Sequence, residues 1–333
     1  MGVEFSSPYP SMDEGKNMIQ FASRGDNEHK PRHFIRVSES AYLLTAENDT
    51  NTGVVVTPNE VMVIDTKATP FMAEEINKYV RTVSDKPIKY VVLTHYHAAR
   101  ALGAPAHDPQ QIIASKGSWE LLKERGKQDF KSEIERLPRL FTRADTIKGM
   151  VWPTLVFERE LTVWMDDLEV RICHVGKGHT KGDTVVWLPG EKVLFTGDLV
   201  EQGATPYCGD AYITEWPDTL KALRAFEPQK LVPGRGMPLT NPEDIERVIA
   251  AQEEFIVALR NNVAQGIASG HALKRIFDDT YADLKPKYGH LSIFEHCQSF
   301  NVSRCYDELT GIRDPVIWTA ERDLEMWNAL REQ

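Results

Sequence analysis

Two histidines separated by a single residue are the first feature of this sequence that could do chemistry. His95 and His97 come directly after an apolar run, residues 88–93, that predicts a buried strand. In an extended chain, residues i and i+2 project to the same side, so both imidazoles can reach one metal ion at about 2.0–2.1 Å. The pair alone is a weak signal, because a chain with ten histidines produces this spacing by chance fairly often.

Two further candidate ligands lie in the second half of the chain. His179 occupies a Gly-rich turn, and Asp198 follows a predicted strand over residues 193–196. Strand ends that meet at one edge are where α/β proteins usually assemble ligand sites. Three neutral imidazoles on one ion leave a fourth position for water, whose pKa can fall to about 7, which would give a hydroxide nucleophile at neutral pH. Asp198 would either complete the coordination sphere or accept the water proton as a general base.

The elements that must position these residues form two β-rich halves with interspersed helices. Short β-rich runs predict strands over 34–37, 41–45, 53–57, 61–64, 88–93 and 112–114, and then over 155–157, 161–164, 168–174, 184–188, 193–196 and 230–232. Helical spacing predicts helices near 70–83, 117–127 and 216–226, and, after an N-cap at Asn241, near 245–259, 273–284 and 324–330. The pattern indicates a layered α/β sandwich, residues 33–250, between an N-terminal arm, 1–32, and a helical extension, 251–333.

Composition and charge limit the classes of function. The 333 residues include 39 basic and 49 acidic ones, a net charge of -10, which argues against nucleic acid as the main ligand. No apolar run approaches the roughly 18 residues that span a bilayer, and residues 1–16 lack an apolar signal core, so we expect no membrane partner and a cytoplasmic location. The four cysteines show no C-x-x-C pair, so neither a zinc ribbon nor a disulfide framework is expected.

Five motifs in a fixed order carry a family resemblance. They are VMVIDT from Val61, LTHYH from Leu93, GHTKGDT from Gly178, LFTGD from Leu194 and VPGRG from Val232. In this order they resemble the metallo-β-lactamase superfamily over about residues 34–250. The resemblance implies an α/β fold, a four-layer αββα sandwich with a metal site at one edge, and His95, His97 and His179 match the residues of the superfamily's first metal site. It also implies, for most members, hydrolysis of an ester, lactone, thioester, amide or phosphodiester.

The second metal site of the superfamily is not matched. That site uses an aspartate and a histidine two and three residues beyond the second histidine, and a histidine in the last motif. Here these positions hold Ala99, Arg100 and Arg235, while the bridging Asp198 remains. Arginine cannot lose its proton to coordinate a metal. We therefore expect one divalent ion per chain, with zinc favoured and iron as the alternative.

Arg100 and Arg235 bring positive charge to the place of the missing ion. We expect them to brace Asp198 and, where they are exposed to the cavity, to hold a substrate carboxylate through two parallel hydrogen bonds. The alternative is that the two arginines only fill and neutralise a disused site.

Three other residues are candidates for the site. The resemblance implies that Asp65 supports the metal loop by hydrogen bonds, and the alternative is a turn cap at a strand end. Asp65 and Asp198 are the candidate catalytic residues. Tyr207 and Cys208 follow Asp198 and are expected to line the substrate pocket, although no histidine near in sequence supports Cys208 as a nucleophile.

These observations favour a mononuclear zinc hydrolase that acts on a small anionic ester, lactone, thioester or amide. Two alternatives stay open: a mononuclear iron oxidoreductase of the sulfur-dioxygenase kind, and a non-catalytic binding protein with a degenerate metal site. Losses confined to the second site favour a working single-metal centre over random decay. The aromatic-rich helices after residue 250 are expected to form a lid or a homodimer face.

Overall fold

The computed structural model describes residue 23 and residues 28–331 of the chain. The predicted N-terminal arm, residues 1–32, lies mostly outside the described residues, and the first strand begins at Arg32. Among the described residues, none of the helices combines the length and the apolar composition that a membrane span needs.

Two sheets contain the strands of the described chain. They follow the two β-rich halves of the sequence with one exception, since strand 155–157, predicted with the second half, joins the first sheet. The first sheet has seven strands in sequential order: β1 (Arg32–Arg36), β2 (Ala41–Ala46), β3 (Thr52–Val56), β4 (Val61–Ile64), β5 (Ile88–Val92), β6 (Gln111–Ser115) and β7 (Leu155–Phe157). The second has five strands in the spatial order β12-β11-β10-β9-β8: β8 (Glu160–Met165), β9 (Leu168–Cys173), β10 (Val185–Leu188), β11 (Val193–Phe195) and β12 (Lys230–Val232).

Helices cover the outer faces of both sheets. They are α1 (Pro70–Val80), α2 (Ala98–Ala101), α3 (Lys116–Arg136), α4 (Trp216–Arg224), α5 (Pro242–Ala268), α6 (Leu273–Tyr288), α7 (Phe294–Leu309) and α8 (Ala320–Arg331). The predicted cap of α5 is present, since the Asn241 side chain accepts a hydrogen bond from the backbone N–H of Asp244 at 2.8 Å.

Alternation along the strands separates three apolar layers. In β4, Val61 and Val63 belong to the apolar cluster under α1 and α3, whereas Met62 and Ile64 belong to the cluster between the two sheets. The same alternation in β10 divides its side chains between the inter-sheet cluster and the cluster under α4 to α7. The layers therefore run helix, sheet, sheet, helix, and the predicted αββα architecture with a helical C-terminal region is confirmed.

Parallel strand pairs bring the candidate site residues to one edge. β4 and β5 are parallel neighbours in the first sheet, and β11 and β12 are parallel neighbours in the second. Their carboxyl ends lead into Asp65, His95, Asp198 and Arg235 respectively. The backbone N–H of Asn51, in the β2–β3 loop, donates to the carbonyl oxygen of Gly234 at 2.8 Å and joins the two sheets at this edge.

One helix is longer than predicted, and another, α7, was not predicted from the sequence. α3 continues to Arg136, well beyond the predicted end near residue 127, because its second half buries charged residues in place of an apolar face. α7 is buried on almost all sides between Phe294 and Cys305, so it has no polar face that would reveal a helical period.

The predicted domain boundary at residue 250 falls inside α5. Phe255 of α5 and Val302 of α7 belong to the same apolar cluster as Val185 and Leu231 of the second sheet. The helical extension is therefore built directly onto the sandwich.

Candidate metal centre

Three buried histidines converge at the edge where the four strands end. Candidate ligand atoms of His95, His97 and His179 all lie within 4.8 Å of one another. Nε2 of His179 lies 3.1 Å from Nδ1 of His97. Two ligands of a tetrahedral ion with 2.0–2.1 Å bonds are about 3.3 Å apart, so this separation suits a shared metal ion.

The remaining ring nitrogens of His95 and His179 have partners that orient the rings. Nδ1 of His95 lies 3.0 Å from Oγ1 of Thr94, and Nδ1 of His179 lies 2.9 Å from the carbonyl oxygen of Tyr207, to which it can only donate. Burial lowers the pKa of His95 well below its usual value and the pKa of His179 to about 3, so both rings are neutral at pH 7. Their Nε2 lone pairs are therefore available to a metal.

His97 presents the opposite nitrogen. Its Nε2 lies 3.3 Å from Oδ2 of Asp210 and 4.0 Å from Oδ1 of Asp129, which leaves Nδ1 facing His179. Burial alone would lower the pKa of His97, but the carboxylates of Asp129, Asp210 and Glu133 outweigh it and raise the pKa to about 9. Without a metal, His97 therefore carries a proton on each ring nitrogen at pH 7. A metal ion would replace the proton on Nδ1, while Asp210 keeps the proton on Nε2.

The donor set fits one transition-metal ion. Nε2 of His95 is buried and has no hydrogen-bond partner among the described residues, although buried polar atoms are normally paired. A cation held by this atom, Nδ1 of His97 and Nε2 of His179 would satisfy it. Three imidazole nitrogens are typical of zinc sites and are also compatible with iron.

Asp198 lies beside this centre between two arginines. Its Oδ2 lies 3.8 Å from Nε2 of His95 and 3.7 Å from Nε2 of His179. Arg100 donates to Oδ1, and Nη1 of Arg235 donates to Oδ2 at 3.3 Å. Burial alone would raise the pKa of Asp198, but Arg100, His95 and Arg235 outweigh it and hold the pKa well below its usual range. The carboxylate therefore stays ionised with or without a metal.

The two arginines differ in their remaining contacts. Arg100 is 1% exposed and donates from Nη1 to the carbonyl oxygen of Asn51 at 3.0 Å and from Nη2 to that of Gly234 at 2.8 Å. Arg235 is 8% exposed and donates from Nη1 to Oε1 of Glu201 at 2.6 Å. Arg100 thus ties the two sheets together, whereas Arg235 retains some exposed surface.

Asp65 orients His95 through hydrogen bonds to Thr94. Its Oδ1 accepts from the backbone N–H of Thr94 at 2.9 Å, and its Oδ2 accepts from the Thr94 hydroxyl at 2.8 Å. The Thr94 hydroxyl donates its single hydrogen to Asp65, so toward His95 it can only accept a hydrogen bond from Nδ1–H. This contact fixes the His95 tautomer in which Nε2 has no proton. Asp65 does not line the cavity, and its two hydrogen bonds to Thr94 are of the kind that the family resemblance implies for the support of the metal loop.

The close approach of β11 to this loop requires glycine. Gly197, just before Asp198, has a φ of 53°, and a Cβ atom there would lie 2.6 Å from Oγ1 of Thr94. A side chain at residue 197 would therefore displace the hydroxyl that orients His95.

The histidines and Asp198 open into a cavity of about 50 Å³. Its other walls come from the β2–β3 loop, from α3 and the turn after it, and from the start of α7. The wall residues outside the motifs include Asn48, Thr50, Glu133, Arg136, Arg139, Tyr207, Ile293, His296 and Cys297.

The two residues predicted to follow Asp198 into the pocket lie in different places. The ring of Tyr207 lines the cavity, with its centroid 5.9 Å from that of His97, and its carbonyl oxygen orients His179. Cys208 has no exposed surface, belongs to the apolar cluster under α4 to α7, and does not line the cavity. Cys208 was predicted to line the substrate pocket, but the structure places its side chain in the core behind the pocket.

Carboxylates on α3 were missed by sequence reasoning. Oδ2 of Asp129 accepts from the backbone N–H of Ala98 at 2.7 Å, and Oε2 of Glu133 accepts from that of Ala99 at 2.8 Å. They cap α2, whose first N–H groups have no side-chain cap of their own. Asp129, Glu133 and Arg136 recur at helical spacing, but a charged stripe of this kind ordinarily indicates a solvated face.

Asp210 and His296 carry no signal in the sequence. Asp210 orients His97, and His296 lines the cavity from a helix far along the chain. Neither residue has a ligand spacing to the other site residues, so only tertiary packing brings them in.

The fold and the histidine cluster together define a metal-binding αββα protein. The family model described as the metallo-beta-lactamase superfamily matches residues 46–235, and this chain belongs to that superfamily. A metallo-beta-lactamase type 2 of Pseudomonas aeruginosa is 27% identical over 197 residues, which cover 56% of this chain and 70% of that protein. A linear primary-alkylsulfatase of Pseudomonas sp. (strain ATCC 19151) is 21% identical over 254 residues, 65% of this chain and 47% of that protein.

Solved structures show the same fold at low identity. A metallo-beta-lactamase from Pontibacter korlensis superposes with a TM-score of 0.53 at 20% identity, covering 68% of this chain and 99% of that chain. A stereoselective inverting sec-alkylsulfatase from Pseudomonas sp. superposes with a TM-score of 0.64 at 17% identity, covering 83% of this chain and 50% of that chain. The larger coverage means that the likeness to the second structure reaches beyond the part shared with the first.

Proposed function

We propose that this protein is a metal-dependent hydrolase with one divalent ion, zinc, that cleaves a small anionic ester, lactone, thioester or amide. The observation that carries the proposal is the buried Nε2 of His95, which has no partner among the described residues and lies with two other imidazole nitrogens around one point. Membership of a superfamily that includes hydrolases supports the reaction class. The cytoplasmic location and a homodimer stay predictions of the sequence.

His95, His97 and His179 would hold the ion. When bound, a divalent ion polarises the scissile carbonyl and lowers the pKa of water to about 7. Asp198 would orient the attacking water by accepting a hydrogen bond from it, because this residue lines the cavity and its Oδ2 lies 3.7–3.8 Å from Nε2 of His95 and of His179. With a pKa held far below its usual range, this carboxylate accepts a hydrogen bond and does not store the proton.

Arg235 would select the anionic group of the substrate. It lines the cavity, keeps some exposure, and can present its guanidinium fork to a carboxylate. Arg100 would contribute positive potential without contact, because its Nη groups are occupied by the protein.

Metal content is the first test. We expect elemental analysis of protein purified without added metal to give one zinc ion per chain, and His179→Ala to lose both the ion and at least 1000-fold in kcat/KM. Metal should raise the Tm of the native protein but not that of His179→Ala. The exposed His271 supplies a matched control, since His271→Ala should keep the ion. Iron in place of zinc would favour an oxidoreductase, and no metal a non-catalytic binding protein.

A pair of substrates tests the role of Arg235. Arg235→Lys keeps the charge but loses the fork, so KM for a monoester that carries a free carboxylate should rise about tenfold while kcat changes little. An uncharged ester of the same size is the control and should be affected less than twofold. Equal effects on both substrates, or none on either, would remove Arg235 from substrate recognition.

A further inference from the structure

A second, much larger cavity adjoins the metal cavity. It has a volume of about 1050 Å³, and Asn48 and Arg235 line both cavities. Its walls come from the end of β2, the loop after Asp198, α5, and the loop between α6 and α7. It therefore lies where the helical C-terminal region meets the sandwich.

The metal cavity is too small to contain a substrate. A single water molecule needs about 10–15 Å³ of such space, so about 50 Å³ accommodates the reacting group and little more. Pockets that bury a whole small molecule usually measure about 300–1000 Å³. The non-reacting part of a substrate must lie in adjoining space, and the second cavity shares two wall residues with the first.

One wall of the second cavity, along α5 and the end of α6, carries apolar side chains, whereas much of the remaining lining is polar. Val248 and Phe255 of α5 are buried in its wall together with Tyr288, and the rings of Phe255 and Tyr288 pack edge to face at 5.1 Å. Met237, 50% exposed, adds a flexible apolar side chain. Met237 and the exposed Ala251 leave apolar surface on this side of the cavity, and covering it with an apolar ligand gains free energy.

Most charged side chains that line the second cavity pair with another side chain. Arg247 pairs with Asp244, and Lys287 pairs with Glu254. At the junction, Nε of Arg235 and Oε2 of Glu201 are both buried and have no hydrogen-bond partner among the described residues. Two buried polar atoms without a hydrogen-bond partner among the described residues therefore lie next to the metal cavity.

We propose, on the basis of the hydrolase function above, that the second cavity binds a medium-length apolar acyl or leaving group of the substrate. The polar end of the substrate lies at Arg235, the bond to be cleaved lies beside the histidines, and the apolar chain extends along α5. The protein then acts on amphiphilic esters or thioesters in preference to acetyl-sized ones.

Carboxylates of different length test this site without turnover. We expect calorimetry on the full chain, with and without zinc, to show one octanoate bound per chain, with an affinity at least 30-fold higher than that for acetate. Ala251→Trp should fill the cavity from an exposed position of α5, weaken octanoate binding at least tenfold and leave acetate binding unchanged. Ala250→Trp is the matched control, since Ala250 is the exposed neighbour that does not line the cavity.

Ester hydrolysis gives a second readout. The ratio of kcat/KM for octanoyl and acetyl esters should fall about tenfold in Ala251→Trp and stay unchanged in Ala250→Trp. Octanoate that binds no more tightly than acetate, or tryptophan variants that behave alike, would overturn the proposal while leaving the hydrolase function intact. Octanoate binding without hydrolysis of any ester would instead overturn the hydrolase function and keep the apolar site.

Discussion

The two sides of the metal cavity accommodate buried charge in opposite ways. On the histidine side, Thr94, Asp210 and the Tyr207 carbonyl orient three rings whose lone pairs converge on one point. On the arginine side, Arg100 and Arg235 enclose Asp198 with positive charge that belongs to the chain itself. One side thus depends on a cation from solution, whereas the other carries its cations as side chains, so chelators should act on the first and substitutions on the second.

The largest expected effect is on metal content, when metal ligands replace the arginines on the arginine side. In Ala99→Asp/Arg100→His/Arg235→His, carboxylate and imidazole ligands replace groups that cannot coordinate a metal, next to the retained Asp198. We expect the zinc content after dialysis to rise from one to two ions per chain. The single variant Ala99→Asp keeps both arginines and should stay at one ion. Two ions in the native protein, or one in the triple variant, would contradict the contrast between the two sides.

Asp198→Asn tests how much the arginine side depends on its central charge. A neutral amide would leave two buried guanidinium groups close together, and removal of one partner from a buried ion pair costs about 3–5 kcal/mol. Urea unfolding of the metal-free protein should show a loss of this size. Asp145→Asn breaks the exposed pair with Arg143, 2.8 Å apart, and should leave the free energy of unfolding almost unchanged. Similar losses in the two variants would mean that Asp198 is not an electrostatic centre.

Glu201 gives the arginine side a smaller, pH-dependent effect. Burial, together with Asp198, raises the pKa of Glu201 from 4.5 to about 7. The native state therefore binds more protons than the unfolded chain between about pH 4.5 and pH 7, and the free energy of unfolding falls as pH rises through that range. Glu201→Gln lacks this dependence, so unfolding at pH 5, 6 and 7 should show the variant gaining about 1–3 kcal/mol relative to the native protein. A difference that does not change with pH would contradict the raised pKa.

The strands and the metal ligands could be predicted because their signals are local. β4, β7 and β12 have the bounds predicted from short apolar runs. The spacing of His95 and His97 predicted one shared site, and the structure brings the two rings together just after β5. The C-terminal helical region was harder to predict, because its sequence signal is not local. α7 contributes a cavity wall and is buried all round, so its sequence lacks the alternation between polar and apolar faces on which prediction depends.

The same distinction separates Tyr207 from Cys208. Both residues follow Asp198 in the sequence and were predicted to line the pocket for that reason. Tyr207 lines the cavity, whereas Cys208 is buried in the core. Which of them faces the site depends on how the loop packs against α7, where the side-chain oxygen of Asn301 accepts from the backbone N–H of Cys208 at 2.7 Å. A local sequence pattern contains no information about a contact between residues so far apart in the chain.

By itself, the sequence determined the layered architecture, the histidine triad and the presence of Ala99, Arg100 and Arg235 at the positions of the superfamily's second metal site, because motif order, strand periodicity and ligand chemistry are properties of short segments. Only the tertiary structure decided which nitrogen of each histidine faces the centre, that the α3 carboxylates point inward, and that a large cavity with apolar side chains along α5 adjoins the small one. These features arise between segments far apart in the chain. Burial there changes the pKa and the hydrogen-bond partners of side chains whose types alone predict neither.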